Sequence, residues 1–303
     1  MHSININLFG YENYFNKLNT LLEKNLLPNS ILISGVGGIG KSTFLSHFLT
    51  FQNLNTDQKK KYLNAFCFDS YDLIEKLLNN HYTNIKILKK DSDSQYINID
   101  QVRKIEKFCS LQSFNNEKRF VYISNIEDLN INASTALLKI LEKSNENIFF
   151  LLEKNSQHNI LDTVVSRCLK FNISFNQHKM NNISKKLLKD FEISFLNNDL
   201  LFNKFDTPGS KLDKILYLSQ NKINDLSIKD IIIFCLNDYN KNKNHQCIKY
   251  AIELSANLFF NNSVLKTYSL KNCYYEFIKY LQLSLRYNSD INPAINLIRE
   301  FKN

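Results

Sequence analysis

Glycine is scarce in this chain, six in 303 residues, and four of the six fall within Gly35-Val-Gly-Gly-Ile-Gly40. With Lys41 and Ser42 behind them they spell Gly-x4-Gly-Lys-Ser, the pattern of a phosphate-binding loop. The pattern constrains the fold because it works only between a buried strand and a helix. Backbone N–H groups without flanking Cβ atoms curl around phosphate oxygens, and the helix adds its positive N-terminal end. Both flanks are present. Ser30-Ile-Leu-Ile-Ser34 is a short, β-branched apolar run and reads as a buried parallel strand. Beyond Lys41, Phe44, Leu45, Phe48 and Leu49 repeat at helical spacing. Gly35, Gly38 and Gly40 are therefore expected to shape the loop. Lys41 is expected to reach the β/γ-phosphates, and Ser42, followed by Thr43, to hold Mg2+ through the nucleotide. The implied cofactor is ATP or ADP with Mg2+.

Composition narrows the class. The chain is long enough for two or three domains, and 44% apolar content is ordinary for a water-soluble protein. No apolar run approaches the roughly 18 residues of a membrane span, and the first seven residues lack the shape of a signal peptide. The six cysteines (67, 109, 168, 235, 247, 273) are scattered without a Cys-x2-Cys pair, so neither zinc nor a disulfide framework is indicated. A reduced, cytoplasmic protein is expected. A net charge of +9 suits a polyanion such as DNA, yet the heavy use of Lys, Asn and Ile is also what an AT-rich genome produces. Lys59-Lys-Lys61 is the nearest thing to a basic run and reads as a solvated helix or loop end.

The second half of a nucleotide site is damaged. A P-loop ATPase needs a carboxylate at the tip of a neighbouring strand. The strand at Phe120–Ile123 is followed by Ser124 and Asn125, with Glu127 and Asp128 arriving three and four residues late, in the turn beyond. A shift of one residue already reverses side-chain direction in a strand, so binding without hydrolysis is the expected outcome.

Downstream, Asn130-Ile-Asn-Ala-Ser-Thr-Ala-Leu-Leu-Lys-Ile-Leu-Glu142 reads as a helix, Asn147-Ile-Phe-Phe-Leu-Leu152 as a strand, and Ser166-Arg-Cys168 follows. Together with Leu27-Pro-Asn-Ser before the loop and Ile99-Asp-Gln-Val-Arg103, these motifs resemble the clamp-loader branch of the AAA+ ATPases. Within it they look most like the delta-prime subunits of bacterial DNA polymerase III. The resemblance covers roughly residues 8–175. It implies an α/β AAA+ domain with a parallel sheet over 1–173, a small helical lid over 174–218 and an all-α collar domain over 219–303. It further implies that Arg167 is an arginine finger acting in trans, and that Asn155 occupies the position that senses the γ-phosphate. The implied partners are gamma/tau and delta clamp-loader subunits, with the sliding clamp and primed DNA reached through the complex. Read without the family, Arg167 is an intrachain ion-pair partner at a strand entrance.

Departures from the family pattern point to one kind of member. The strand-tip acid is missing, and Leu212 stands where motor subunits carry a lid arginine, with Lys211 about 100° away around the helix. A four-cysteine zinc module is absent, and Glu142-Lys-Ser-Asn145 replaces an acidic, proline-rich turn. Such a subunit triggers its neighbour's ATPase without running its own. A self-sufficient motor, with Glu127 or Asp128 standing in for the acid, is the alternative; a P-loop protein whose role has drifted is a third reading.

Past residue 174 the pattern turns helical. A lid of three helices is expected to end at Lys211–Leu218, and Asn221–Asp225 to form a linker. Apolar residues then repeat at helical steps over 230–236, 248–260 and 274–287. The last of these carries the stripe Tyr274, Phe277, Ile278, Leu281 and Leu285, and Asn292 with Pro293 opens a final helix.

Overall fold

The computed structural model describes residues 4–91, 94–111, 117–143, 146–191, 201–202, 206–221, 223, 226–260 and 268–300. Its central feature is a five-stranded sheet of β1 (Ser30–Gly35), β2 (Ile85–Leu88), β3 (Arg119–Ile123), β4 (Ile148–Asn155) and β5 (Leu169–Asn172). The order across the sheet is β2-β3-β4-β1-β5, and every pairing is parallel. Parallel strands need crossover connections, and helices supply them. After α1 (Glu12–Glu23), which precedes β1, these are α2 (Lys41–Gln52), α3 (Thr56–Ala65), α4 (Asp72–Leu78), α5 (Ile99–Ser110), α6 (Ile131–Lys143) and α7 (Asp162–Val165). The fold class is the α/β one expected, a parallel sheet flanked by helices and followed by a helical C-terminal part.

Because side chains alternate along a strand, the central strands β1, β3 and β4 divide their residues between two cores. Ile31 and Ile33, Phe120 and Tyr122, Phe149 and Leu151 join Phe15, Phe44, Phe48 and Tyr62 from α1, α2 and α3. Leu32, Val121, Ile123, Phe150 and Leu152 face the other way, onto Val102 and Ile105 of α5 and Leu137 and Ile140 of α6. α2 is buried on almost every side, from Phe44 through Phe51, which explains why its apolar residues do not form a single stripe.

The chain separates into two compact units, Met1–Lys186 with Thr207–Gly209, and Leu187–Asp206 with Ser210–Asn303. Two further helices, α8 (Gln177–Asp190) and α9 (Pro208–Gln220), each span a point of division. Any third helix between them falls outside the described residues, as does most of the Asn221–Asp225 stretch. The second unit continues with α10 (Ile228–Asn242), α11 (His245–Phe260), α12 (Tyr268–Tyr287) and α13 (Asn292–Glu300). Its core includes Ile232, Cys235 and Leu236 of α10, Ala251 and Leu254 of α11, Phe277 and Leu281 of α12, and Ile298 of α13. One position of the α12 stripe is corrected: Leu285 is exposed, and the inward place is taken by Ser284, whose hydroxyl donates to Asp290 O at 2.8 Å. That bond fixes the turn into α13. Among the described residues no helix is long and apolar enough to cross a membrane.

His47 sits inside α2 with no exposure. Its Nε2 lies 2.8 Å from Asn5 O and its Nδ1 2.8 Å from Tyr62 OH, so the ring is satisfied as a neutral imidazole. Burial pushes it down to about 4 from the ordinary 6.5. A depressed folded value means the unfolded chain takes the proton first, so the stability is present above 6.5 and lost as pH falls toward 4. Chemical denaturation at pH 8 and pH 5 is expected to show a loss of ~2 kcal/mol from this group, absent in His47→Gln.

Candidate nucleotide-binding site

The loop Val36–Gly40 leaves the end of β1 and enters α2, with Gly38 at φ 72° and Gly40 at φ 102°. Both values lie in the left-handed region where a Cβ is strained, so these two glycines are required by the path itself. The loop is held from behind at every carbonyl. Gly35 O accepts from Lys41 Nζ and Ser156 N, both at 3.0 Å, and Val36 O from Lys41 Nζ at 3.0 Å and Ile39 N at 3.4 Å. Gly37 O accepts from Thr207 Oγ1 at 3.0 Å and Gly38 O from Gly209 N at 2.8 Å. Ile39 O accepts from the buried Tyr11 hydroxyl at 3.0 Å, whose ring stacks on Phe44. With five consecutive carbonyls turned into protein partners, the edge left to face a ligand is the N–H edge, continued by the open N-terminus of α2. An edge of this form suits a phosphate, and the residues around it fit a Mg2+-nucleotide.

Lys41 is buried and, besides its two carbonyl bonds, lies 4.0 Å from Glu153. Burial lowers its pKa, opposed by the charges of Glu153 and Glu127. Ser42 follows at the first turn, half-buried, with its hydroxyl 3.0 Å from each oxygen of Glu153. Thr43 is half-buried in the same turn. Asn155 ends β4 opposite Gly35, and a Cβ added at Gly37 would come within 3.2 Å of its Nδ2. The structure therefore brings Gly35, Gly38, Gly40, Lys41, Ser42, Thr43 and Asn155 to one place.

Two carboxylates join them. Ser124 and Asn125 do follow β3, and Glu127 lies in a 3-10 turn, Ile126–Asp128. Asn125 adopts φ 50°, which turns the chain so that Glu127 Oε1 accepts from Asn155 N at 3.0 Å. The second oxygen of Glu127 is buried without a hydrogen-bond partner among the described residues. Asp128 enters the fold through its backbone, with its carbonyl accepting from Ile97 N at 2.7 Å.

Glu153 is the residue that sequence reasoning missed. It is 3% exposed, shares the α2 face of β4 with Phe149 and Leu151, and accepts from Tyr122 OH at 2.5 Å. Burial raises its pKa, opposed by hydrogen bonds from Tyr122 and Ser42 and by the Lys41 charge; burial drives the Tyr122 hydroxyl well above its ordinary value. The available signal was a lone acid closing the apolar run Ile148–Leu152.

Arg167 stands apart from this cluster. It follows α7, with Nη1 donating to Thr163 O at 2.9 Å and Nη2 2.5 Å from Glu142 Oε1 at the end of α6; its side chain is 39% exposed. In the second unit, Lys211 lies over the Phe202 ring at 5.7 Å and Leu212 is half-buried. Among the described residues no group of three or more His, Cys, Asp or Glu could hold a metal ion, and the six cysteines are not joined in disulfides.

Residues 10–177, more than half of the chain, match the family model described as DNA polymerase III, delta subunit. The DNA polymerase III subunit delta' of Haemophilus influenzae is 38% identical over 78 residues, 26% of this chain and 24% of that protein. A replication factor C small subunit of Methanosphaera stadtmanae is 25% identical over 232 residues, 74% of this chain and 63% of that one. The DNA polymerase III subunit gamma/tau of Mycoplasma genitalium is 27% identical over 225 residues, 74% of this chain and 34% of that protein. The chain thus spans less than two thirds of the length of each of these relatives.

The contact between Gly209 and the loop gives a direct test of the back support. A Cβ at Gly209 would meet Gly38 O at 2.7 Å, a backbone atom that cannot step aside. Gly209→Ala, ordinarily favourable within a helix, is expected to lower stability by about 1–3 kcal/mol, read as a fall in melting temperature.

Proposed function

The chain belongs to the DNA polymerase III delta-subunit family, a clamp-loader family of DNA replication, and from that premise we propose that it is a delta-prime-like stator. In this reading it helps open a sliding clamp and place it on primed DNA, in a complex with gamma/tau and delta subunits. It holds ATP or ADP with Mg2+ passively, and Arg167 serves the nucleotide site of the next subunit.

The observation that carries the reading is the pairing of a fully built phosphate loop with a β3 that is followed by Ser124 and Asn125, not by an acid. Without a strand-tip carboxylate the water at the γ-phosphate lacks its orienting base. Bound Mg2+ supplies charge neutralisation on the β- and γ-phosphates; Lys41, Ser42 and Asn155 are this chain's contribution to holding the group. The arrangement of Arg167 is compatible with a role in trans. Its pair with Glu142 is half-exposed, 39% against 49%, and exposed ion pairs contribute only about 0–1 kcal/mol. A phosphate presented by a neighbouring subunit can therefore draw the guanidinium away.

A second reading, a self-sufficient AAA+ motor of the gamma/tau type, is favoured by Glu127, whose carboxylate stands at the amide of Asn155. The two readings part on turnover. A stator hydrolyses ATP at background rate in isolation; a motor turns over alone, and Lys41→Ala abolishes it. For the stator, DNA- and clamp-stimulated ATPase of a loader rebuilt from separate subunits is expected to drop tenfold or more with Arg167→Ala while assembly is intact. Unchanged turnover would leave Arg167 with its intrachain role only.

A further inference from the structure

Among the described residues, Glu153 is the buried acid at the loop that the proposed function does not use, and its contacts are specific. It is 3% exposed. Its two oxygens receive the Ser42 hydroxyl at 3.0 Å each and the Tyr122 hydroxyl at 2.5 Å, and Lys41 Nζ stands 4.0 Å away. The alternation of β3 and β4 requires this meeting. Tyr122 shares a face with Phe120, and Glu153 shares one with Phe149, and both faces look onto α2.

A serine hydroxyl ligates a metal through an oxygen lone pair, which leaves its proton needing an acceptor directed elsewhere. An ionised carboxylate behind the hydroxyl is such an acceptor, and it raises the donor strength of the oxygen toward the metal. Binding is thereby made to depend on Mg2+.

We propose that Glu153, held by Tyr122 and acting through Ser42, is the positioning acid for the nucleotide's Mg2+, supplied from β4 where the tip of β3 offers only Ser124 and Asn125. The inference rests on the reading of the loop as a nucleotide site. It separates two roles that one strand-tip acid otherwise combines: metal retention is kept at Glu153, and water orientation is not.

The test is the ratio of affinities for a fluorescent ADP in Mg2+ and in EDTA, measured by anisotropy on the full chain; the ratio cancels any uniform loss of folded protein. Glu153→Gln preserves shape and one acceptor while removing the charge. Its ratio is expected to fall at least tenfold, chiefly by losing the gain from Mg2+. Tyr122→Phe leaves the carboxylate in place but frees one oxygen, and a two- to fivefold fall is expected. Ser42→Ala is expected to lower the ratio as far as Glu153→Gln, and the double variant no further, because the acid acts through the serine. A Glu153→Gln ratio within twofold of the unaltered protein overturns the proposal and leaves the nucleotide reading standing. Single losses that multiply in the double variant also overturn it. No ADP binding by the unaltered chain in either buffer overturns both.

Discussion

The side-chain alternation of a parallel sheet decides what can meet at this phosphate loop. β1 is paired on one side with β4, so that Ile33 stands opposite Glu153 and Gly35 opposite Asn155. The loop leaves β1 at the level where β4 ends, and the last two residues of β4 on the α2 face are polar. One residue of slip would send Glu153 into the apolar layer beneath α5 and α6 and place Lys154 under the loop. The register is protected by burial of both faces, since Phe149 and Phe150 must each find their own core.

Such a site does little for the stability of the fold. Lys41 and Glu153 are both withdrawn from water, and a buried ion pair rarely offsets its desolvation. Here the lysine has two carbonyls and the acid two hydroxyls in addition to each other, so the groups are satisfied, but an apolar pair of similar volume would serve the core as well. Under the proposed function a nucleotide accounts for their presence. The same proposal accounts for the second oxygen of Glu127, buried without a partner among the described residues, since native interiors rarely leave such an atom unmatched.

Much of the fold was legible because its signals are local. The glycine cluster, the strand before it and the helix after it are found where the sequence puts them, as are β3 and α6. What stayed hidden depends on distance in space. β4 runs three residues beyond its apolar stretch, through Glu153, Lys154 and Asn155, and polar residues at a strand end carry no periodic signal. Glu127 was displaced from the site by an argument about strand direction, yet the left-handed turn at Asn125 resets that direction. Arg167 and Glu142 lie 25 positions apart, and only the packing of α6 beside α7 brings them together. On α12, helical spacing alone favoured Leu285; the bond from Ser284 to the following turn decided otherwise.

The two carbonyls that hold the Lys41 ammonium each have a second donor, Ser156 N at Gly35 and Ile39 N at Val36. When the lysine swings toward a phosphate, neither carbonyl is orphaned, and the loop keeps its shape through bonds that do not involve the moving group. Thr207, Gly209 and Tyr11 fix the other three carbonyls regardless. The loop is thus a stiff frame with a single articulated arm. Under the proposed function, ligand capture would then be a side-chain rotation, on the nanosecond scale of rotamer exchange, with no rebuilding of the backbone around the guest.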